Sequence, residues 1–220
     1  MKAILIDHMG SDLSVVNAAR VSFAKVSEWD SIPEGGQVKG YLKIGDEKLI
    51  KFLAKHNHWS PFGHASLQFH IKAPIFVARQ LVKHQVGLVW NEVSRRYVDT
   101  EPEFYTPKYF RKKADNIKQG SDSEDTLSYI LKPVIDYTLQ CYKNMLKMGV
   151  CPEQARMVLP QNMYTEWYWS GSLAAFARVC NLRCKEDTQW ETRQVANQIS
   201  EQVHELFPIS WEALTHRVEE

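Results

Sequence analysis

Apolar positions along the chain recur with two periods, and the switches between them predict the elements. Residues 2–6 are apolar enough for a short strand. From Ser11 the positions Val15, Val16 and Ala19 fall at helical spacing, and Ser11 and Asp12 both suit a helix N-cap. Residues 27–45 carry Pro33, Gly35 and Gly36 with mixed charge and neither period, which predicts a surface loop. Residues 46–58 return to helix, with Leu49, Ile50, Leu53 and Ala54 on one side.

Residues 64–72 alternate strictly: Ala65, Leu67, Phe69 and Ile71 lie against Ser66, Gln68 and His70, as in a half-buried strand. Pro74 then opens a helical pattern through residue 85, since proline suits a first turn. On that helix Gln80, Lys83 and His84 stand at i, i+3 and i+4 and share a face. Residues 91–99 alternate again, placing Glu92, Ser94 and Arg96 on one side of an extended segment. Residues 108–124 are basic, then polar, and read as a mobile surface connection. A helical pattern follows to Met148, with Pro133 marking its kink or its start. Residues 154–159 predict a short helix, 163–169 a strand, and 173–182 and 188–207 amphipathic helices. Ala196, Ile199, Val203 and Leu206 form the core stripe of the last. No internal repeat interrupts this order.

Composition narrows the classes. With 220 residues and 44% hydrophobic content, the chain can bury one continuous core, so a single domain is expected. A formal charge of +1 excludes a global field that would hold nucleic acid or an anionic membrane. The first residues are too acidic and too briefly apolar for a signal peptide, and no stretch approaches a membrane span; a cytoplasmic location is expected. The four cysteines, Cys141, Cys151, Cys180 and Cys184, form no CxxC pair and read as packing thiols, with Cys180 and Cys184 able to share a helix face. His56, His58, His64 and His70 fit no compact zinc spacing, so no metal is expected. The glycine patterns of Rossmann and P-loop sites and of the serine-hydrolase elbow are missing from the sequence.

Candidate chemistry concentrates between Arg79 and Tyr97. Arg79, Lys83, Arg95 and Arg96 stand there with Gln80, His84, Asn91, Glu92 and Ser94, a density of donors and hydroxyls that suits a phosphate and a ribose. A solvated helix face followed by an exposed edge strand explains the same residues. Arg156, with Arg178 and Arg183, makes a second set; Arg156 lies among apolar residues, either paired in the core or aimed at a ligand. The aromatics of WNEVSRRY and MYTEWYWSG are core residues by default, or stacking surfaces for a ring ligand.

The segments MGSDLSVVNAARVSF, HNHWSPFGH, FHIKAPIFVARQ, NEVSRRY, EFYTP, ARMVLPQNMYT and NLRCKEDTQWE, in this order, resemble the flavin-dependent thymidylate synthases over residues 9–191. The resemblance implies an α/β fold: one domain over residues 1–220, with a mainly antiparallel sheet flanked by helices. It also implies a homotetramer whose active sites are shared between subunits. The implied reaction takes dUMP, methylenetetrahydrofolate and reduced FAD to dTMP, with NADPH reducing the flavin and no cysteine nucleophile. Gln80, Lys83, Glu92, Ser94, Arg95, Arg96, Arg156 and Arg183 match dUMP-binding positions, with Arg183 and Ser94 as the catalytic pair. Arg183 stands where the uracil is polarised towards loss of its imide proton. Ser60, Lys83, His84, Gln85, Glu92, Ser172, Ala174 and Arg178 match flavin-facing positions.

Two departures from the family pattern stand out. Its signature of Arg-His-Arg, seven residues and a serine is here Lys83-His84-Gln85 and eight residues before Ser94. Ser172 and Arg178 replace common asparagines, and Ala174 a common arginine. The nucleotide set is thus retained and the flavin set altered. A folate-dependent pyrimidine hydroxymethylase, another carbon-5 modifying enzyme with altered flavin use, and a nucleotide-binding homologue without catalysis stay open beside the synthase.

Overall fold

A computed structural model of the chain describes residues 1–34, 37–113, 121, 126–127 and 129–215. In chain order the elements are β1 (Lys2–Met9), α1 (Asp12–Arg20), β2 (Asp30–Glu34), β3 (Gln37–Tyr41), α2 (Ile44–Lys55), α3 (Ser60–Gly63), β4 (Ser66–Pro74) and α4 (Ile75–Leu81). There follow β5 (Leu88–Glu92), β6 (Phe110–Arg111), β7 (Thr126–Leu127), α5 (Lys132–Lys147), α6 (Pro152–Ala155), β8 (Tyr164–Ser172), α7 (Leu173–Arg183), α8 (Trp190–Leu206) and α9 (Pro208–Thr215). Short 3-10 turns cover Val21–Phe23 and Arg156–Val158.

The main sheet has the order β1-β4-β8-β5 and is antiparallel throughout, as expected. The two-residue period of β4 decides its faces. Leu5, Phe69, Trp169 and Trp90 form one cross-strand row towards the helices, and Ile4, His70, Tyr168 and Asn91 form another on the opposite, exposed face. Phe176 on α7 packs edge-on against Phe69 at 5.2 Å and Trp169 at 5.3 Å. Burying each such phenyl ring contributes about 1.5–3 kcal/mol, so this junction of sheet and α7 is a principal anchor. Val195, Ala196, Ile199 and Val203 of α8 are fully buried against it, while Leu206 is only half-buried.

Side chains far apart in sequence close the edges. Gln198 and Gln202, one turn apart on α8, take up backbone groups of β1: Ala3 and Leu5 donate N–H to their carbonyl oxygens at 3.0 and 2.9 Å, and Gln202 donates to the Ala3 carbonyl at 2.9 Å. Asp46, fully buried in the first turn of α2, accepts from Arg20 and from the Ser27 hydroxyl. This ties the stretch after α1 to α2.

Several expectations are corrected. The predicted loop at 27–45 contains the hairpin β2–β3, with Asp30 paired to Tyr41 and Glu34 to Gln37; Pro33 lies within β2, while Gly35 and Gly36 are outside the described residues. The helix from Pro74 ends at Leu81, so Gln80 is helical but Lys83 and His84 lie in the turn beyond it. The extended segment is Leu88–Glu92 rather than 91–99; residues 95–97 form a turn, with Tyr97 N–H on the Ser94 carbonyl at 3.0 Å. Within 108–124, Phe110–Arg111 pairs with Thr126–Leu127, and residues 114–120 and 122–124 lie outside the described part. Asp12 does not cap α1. Its carboxylate accepts from Ile209 and Ser210 N–H at 3.0 and 2.9 Å, capping α9, a helix the periodicity gave no sign of. Pro133 marks the true start of α5.

Candidate functional site

Two glycines set the site's frame. Gly171 on β8 lies so close to the turn after α4 that a Cβ there would sit 2.4 Å from the Gly87 carbonyl oxygen and 2.6 Å from Leu88. Gly87 itself takes a φ of +75°, which favours glycine. Its carbonyl accepts from Ser172 N–H at 3.3 Å. The turn carrying Lys83, His84 and Gln85 is thereby laid across the start of α7, where Ser172 Oγ caps the helix by accepting from Ala175 N–H at 3.2 Å.

On that platform the basic side chains of α7 meet the turn. Arg178 donates from Nη2 to the Val86 carbonyl at 2.7 Å, and Arg183 donates from Nε to His84 Nε2 at 3.0 Å. His84 can accept only while Nε2 is unprotonated, and its pKa is lowered by burial first and then by the charges of Arg183 and Arg178. Burial also lowers the pKa of Arg183. Among the described residues, none of Lys83, Arg178 and Arg183 pairs with a carboxylate. A cationic cluster left unneutralised by its own chain suits phosphate and an anionic ring.

Gln80, one turn earlier, is held from behind. Its amide donates to Gln189 and accepts from the Thr192 hydroxyl at 3.1 Å, and Gln189 donates to Glu191 at 3.1 Å. Neither Gln189, Glu191 nor Thr192 was singled out by spacing. The signal available was the QWET run at the start of α8, whose partner Gln80 lies over a hundred residues away.

The remaining candidates stand apart. Glu92 ends β5, four residues from Leu88 and so about 13 Å along the strand. Its carboxylate accepts from Thr165 at 2.8 Å and from Trp90 Nε1 at 3.1 Å, and Trp90 stacks on buried Trp167 at 4.3 Å. Ser94 Oγ accepts from Arg96 Nε at 3.1 Å, Arg95 donates to the Thr100 carbonyl, and Arg96 lies over the Tyr97 ring. Arg156 is exposed and, among the described residues, bonds the nearby Glu153 carbonyl at 3.2 Å, so its core-paired alternative is corrected. Ser60 opens α3 and is exposed, Gln85 is exposed, and Ala174 is buried within α7. One chain therefore gathers His84, Arg178 and Arg183, with Lys83 exposed beside His84 in the turn, and leaves Glu92, Ser94, Arg95 and Arg96 as a second group with Arg156 and Ser60 elsewhere.

The cysteines do not join either group. Cys180 is buried, its thiol pKa raised by its hydrogen bond with Cys184 and by burial, while Cys151 is exposed rather than packed. Among the described residues no group of three or more His, Cys, Asp or Glu is arranged to hold a metal; His56 lies on Phe52, and His70 faces Glu166 at 3.2 Å. No helix among them is long and apolar enough to cross a membrane.

Comparison with known proteins places this geometry. The chain is 41% identical over 213 residues to a flavin-dependent thymidylate synthase of Thermus thermophilus, covering 95% of this chain and 73% of the relative. It is 39% identical over 215 residues to the enzyme of the same name from Kosmotoga olearia, covering 95% and 87%. A crystal structure of a UMP/dUMP methylase PolB from Streptomyces cacaoi, bound with 5-Br dUMP, superposes with a TM-score of 0.80 at 28% identity, over 98% of this chain and 94% of the other. The same methylase bound with 5-Br UMP gives 0.78. Since the sequence model of the thymidylate synthase complementing proteins also matches residues 4–209, the chain belongs to that family, the flavin-dependent thymidylate synthases.

Proposed function

We propose that the chain converts dUMP to dTMP by reductive methylation at carbon 5, with methylenetetrahydrofolate as carbon donor, FAD as cofactor and NADPH as reductant, in the cytoplasm. The observation that carries this reading is the carboxylate-free pair of Arg178 and Arg183 at the turn of a histidine with a lowered pKa, with Lys83 next to that histidine in the chain. Its donor set fits an anionic cofactor: Lys83, Arg178 and the Ser172 hydroxyl would hold FAD, with Ser60, His84, Gln85, Glu92 and Ala174 lining its surroundings. FAD, when bound, supplies the hydride that turns the transferred methylene into a methyl group.

Arg183 acts on the pyrimidine. With Nε fixed by His84, its terminal amino groups remain for the uracil, where a permanent charge stabilises the negative charge left when the imide proton departs. Carbon 5 then carries enough electron density to attack the folate methylene, whose bonds to the folate nitrogens break to leave tetrahydrofolate, and carbon 5 later loses its own hydrogen as a proton. Ser94 of a neighbouring copy serves beside it, and no thiol is needed. Gln80, Glu92, Ser94, Arg95, Arg96 and Arg156 hold the nucleotide. Glu92 and Ser94 lie at and beyond the far end of β5 from the His84 turn, and the site is completed between subunits of a homotetramer.

Purified protein given dUMP, methylenetetrahydrofolate, FAD and NADPH should form dTMP, and omission of FAD should abolish it. A hydroxymethylated product, or bound dUMP that is never converted, overturns the reading. UMP in place of dUMP tests whether the sugar is read. Mixing inactive Arg156→Ala with inactive Arg183→Ala protein under subunit exchange should restore activity; failure despite proven exchange places the whole site in one subunit.

A further inference from the structure

Behind Gln80 lies a buried carboxylate that the reaction itself does not use. Glu191 is 4% exposed; Arg111 donates to both its oxygens at 2.8 Å, and the Tyr105 hydroxyl donates at 3.3 Å. Burial, and then the Glu191 charge, push the Tyr105 phenol up to about 12, so it stays a donor.

From this ion pair the hydrogen bonds run in one direction. A carboxylate offers only acceptors, so Gln189 turns its Nε2 towards Glu191, at 3.1 Å, and its carbonyl oxygen away. That oxygen can only accept, and it takes a bond from Gln80 Nε2. The Gln80 carbonyl oxygen then faces the other way, onto the hydroxyl of Thr192, which is fully buried and donates at 3.1 Å. An amide side chain alone can flip and present either end. Here the flip would set oxygen against oxygen at Gln189 and leave an NH2 on the Thr192 side. Of Gln80's two N–H bonds, one is spent on Gln189 and one remains.

We propose that Glu191 and Thr192 are positioning residues, which fix the amide of Gln80 so that its remaining N–H meets an acceptor oxygen of the bound nucleotide. This rests on Gln80 being a dUMP contact. The carboxylate acts through two glutamines and never touches the substrate. Glu191→Gln would let Gln189 reverse, and Gln80 with it. Thr192→Val keeps the Arg111–Glu191 pair and removes only the hydroxyl that holds the Gln80 carbonyl.

The test is calorimetric titration of dUMP into the FAD-loaded protein, with thermal melting of each variant alongside. Gln80→Ala, Glu191→Gln and Thr192→Val are each expected to weaken dUMP roughly tenfold, the worth of one well-directed hydrogen bond. The decisive arm is the double variant Gln80→Ala with Glu191→Gln, or with Thr192→Val should the former melt. It should bind dUMP no more weakly than Gln80→Ala alone, because a residue that acts through Gln80 has nothing left to position. Losses that multiply, or single variants that bind like the parent, overturn the relay while leaving the site in place. An unchanged affinity in Gln80→Ala removes Gln80 from the site and the relay with it, and a parent that binds no dUMP overturns the proposed reaction too.

Discussion

Arg183 offers the sharpest test, because its guanidinium is divided between two tasks. Nε is committed to His84 at 3.0 Å, and the terminal amino groups are left for the pyrimidine. Lysine has one ammonium at the end of its stem and cannot serve both directions. Removing one preorganised donor aimed at developing negative charge costs roughly 10²- to 10³-fold in turnover. Arg183 is half-buried in the single chain, so the lower figure, roughly 10²-fold, is expected for Arg183→Ala. Arg183→Lys should recover less than about a tenth of the parent rate, because charge without the fork does not restore geometry. The structural loss is small: one hydrogen bond, about 1 kcal/mol, or about 2–4 °C in melting temperature for a chain of this size. Release of tritium from dUMP labelled at carbon 5 reports substitution at that atom directly, and a melting curve confirms the fold. Turnover of Arg183→Ala within a few-fold of the parent would remove Arg183 from the chemistry.

Three further outcomes follow from the same geometry. Arg178→Ala should weaken FAD by roughly tenfold or more and leave dUMP affinity nearly unchanged, measured by flavin fluorescence titration; equal FAD affinity in variant and parent would show that Arg178 does not replace the charge missing at Gln85. Because the folded-state pKa of His84 is lowered, the unfolded chain takes up a proton first as the pH falls below about 6.5, so His84's contribution to stability is full above that value and lost as the pH drops through the lowered one. Activity should fall over the same window as the bond to Arg183 breaks, and a parent and His84→Gln protein with identical pH profiles of melting and turnover would refute this. Asp46→Ala, which strips the acceptor from Arg20 and Ser27 in a fully buried place, should cost about 3–5 kcal/mol in urea unfolding; a loss under about 1 kcal/mol would mean the pair is solvated in solution.

What could be read in the sequence was what is local. The alternation through Leu67, Phe69 and Ile71 fixed both the strand and its buried face, since a period of two has one physical cause. Of the ordered family segments, one held Arg183, and the positions matched to the family between segments gave Lys83, His84 and Arg178; the fold brings His84, Arg178 and Arg183 together. The pairing inside that group was not legible: nothing in the spacing links Arg183 to a histidine 99 positions earlier. The helix α9 was hidden for the same reason, as its cap comes from Asp12, 197 residues away from Ile209. The hairpin β2–β3 is held by backbone pairing of Asp30–Glu34 with Gln37–Tyr41, and backbone pairing leaves little trace in side-chain pattern.

The two glutamines that α8 lends to β1 have a consequence for how copies of this chain can meet. An unpaired outer strand is an open template on which another strand can assemble, with fibril growth as the hazard. At β1 the N–H groups of Ala3 and Leu5 and the Ala3 carbonyl are already occupied, so an incoming strand finds that row closed. The sheet is therefore polarised. Among the described strands its other margin is β5, the strand that leads from the His84 turn to Glu92, and growth of the sheet by backbone pairing is directed to the side where the site lies.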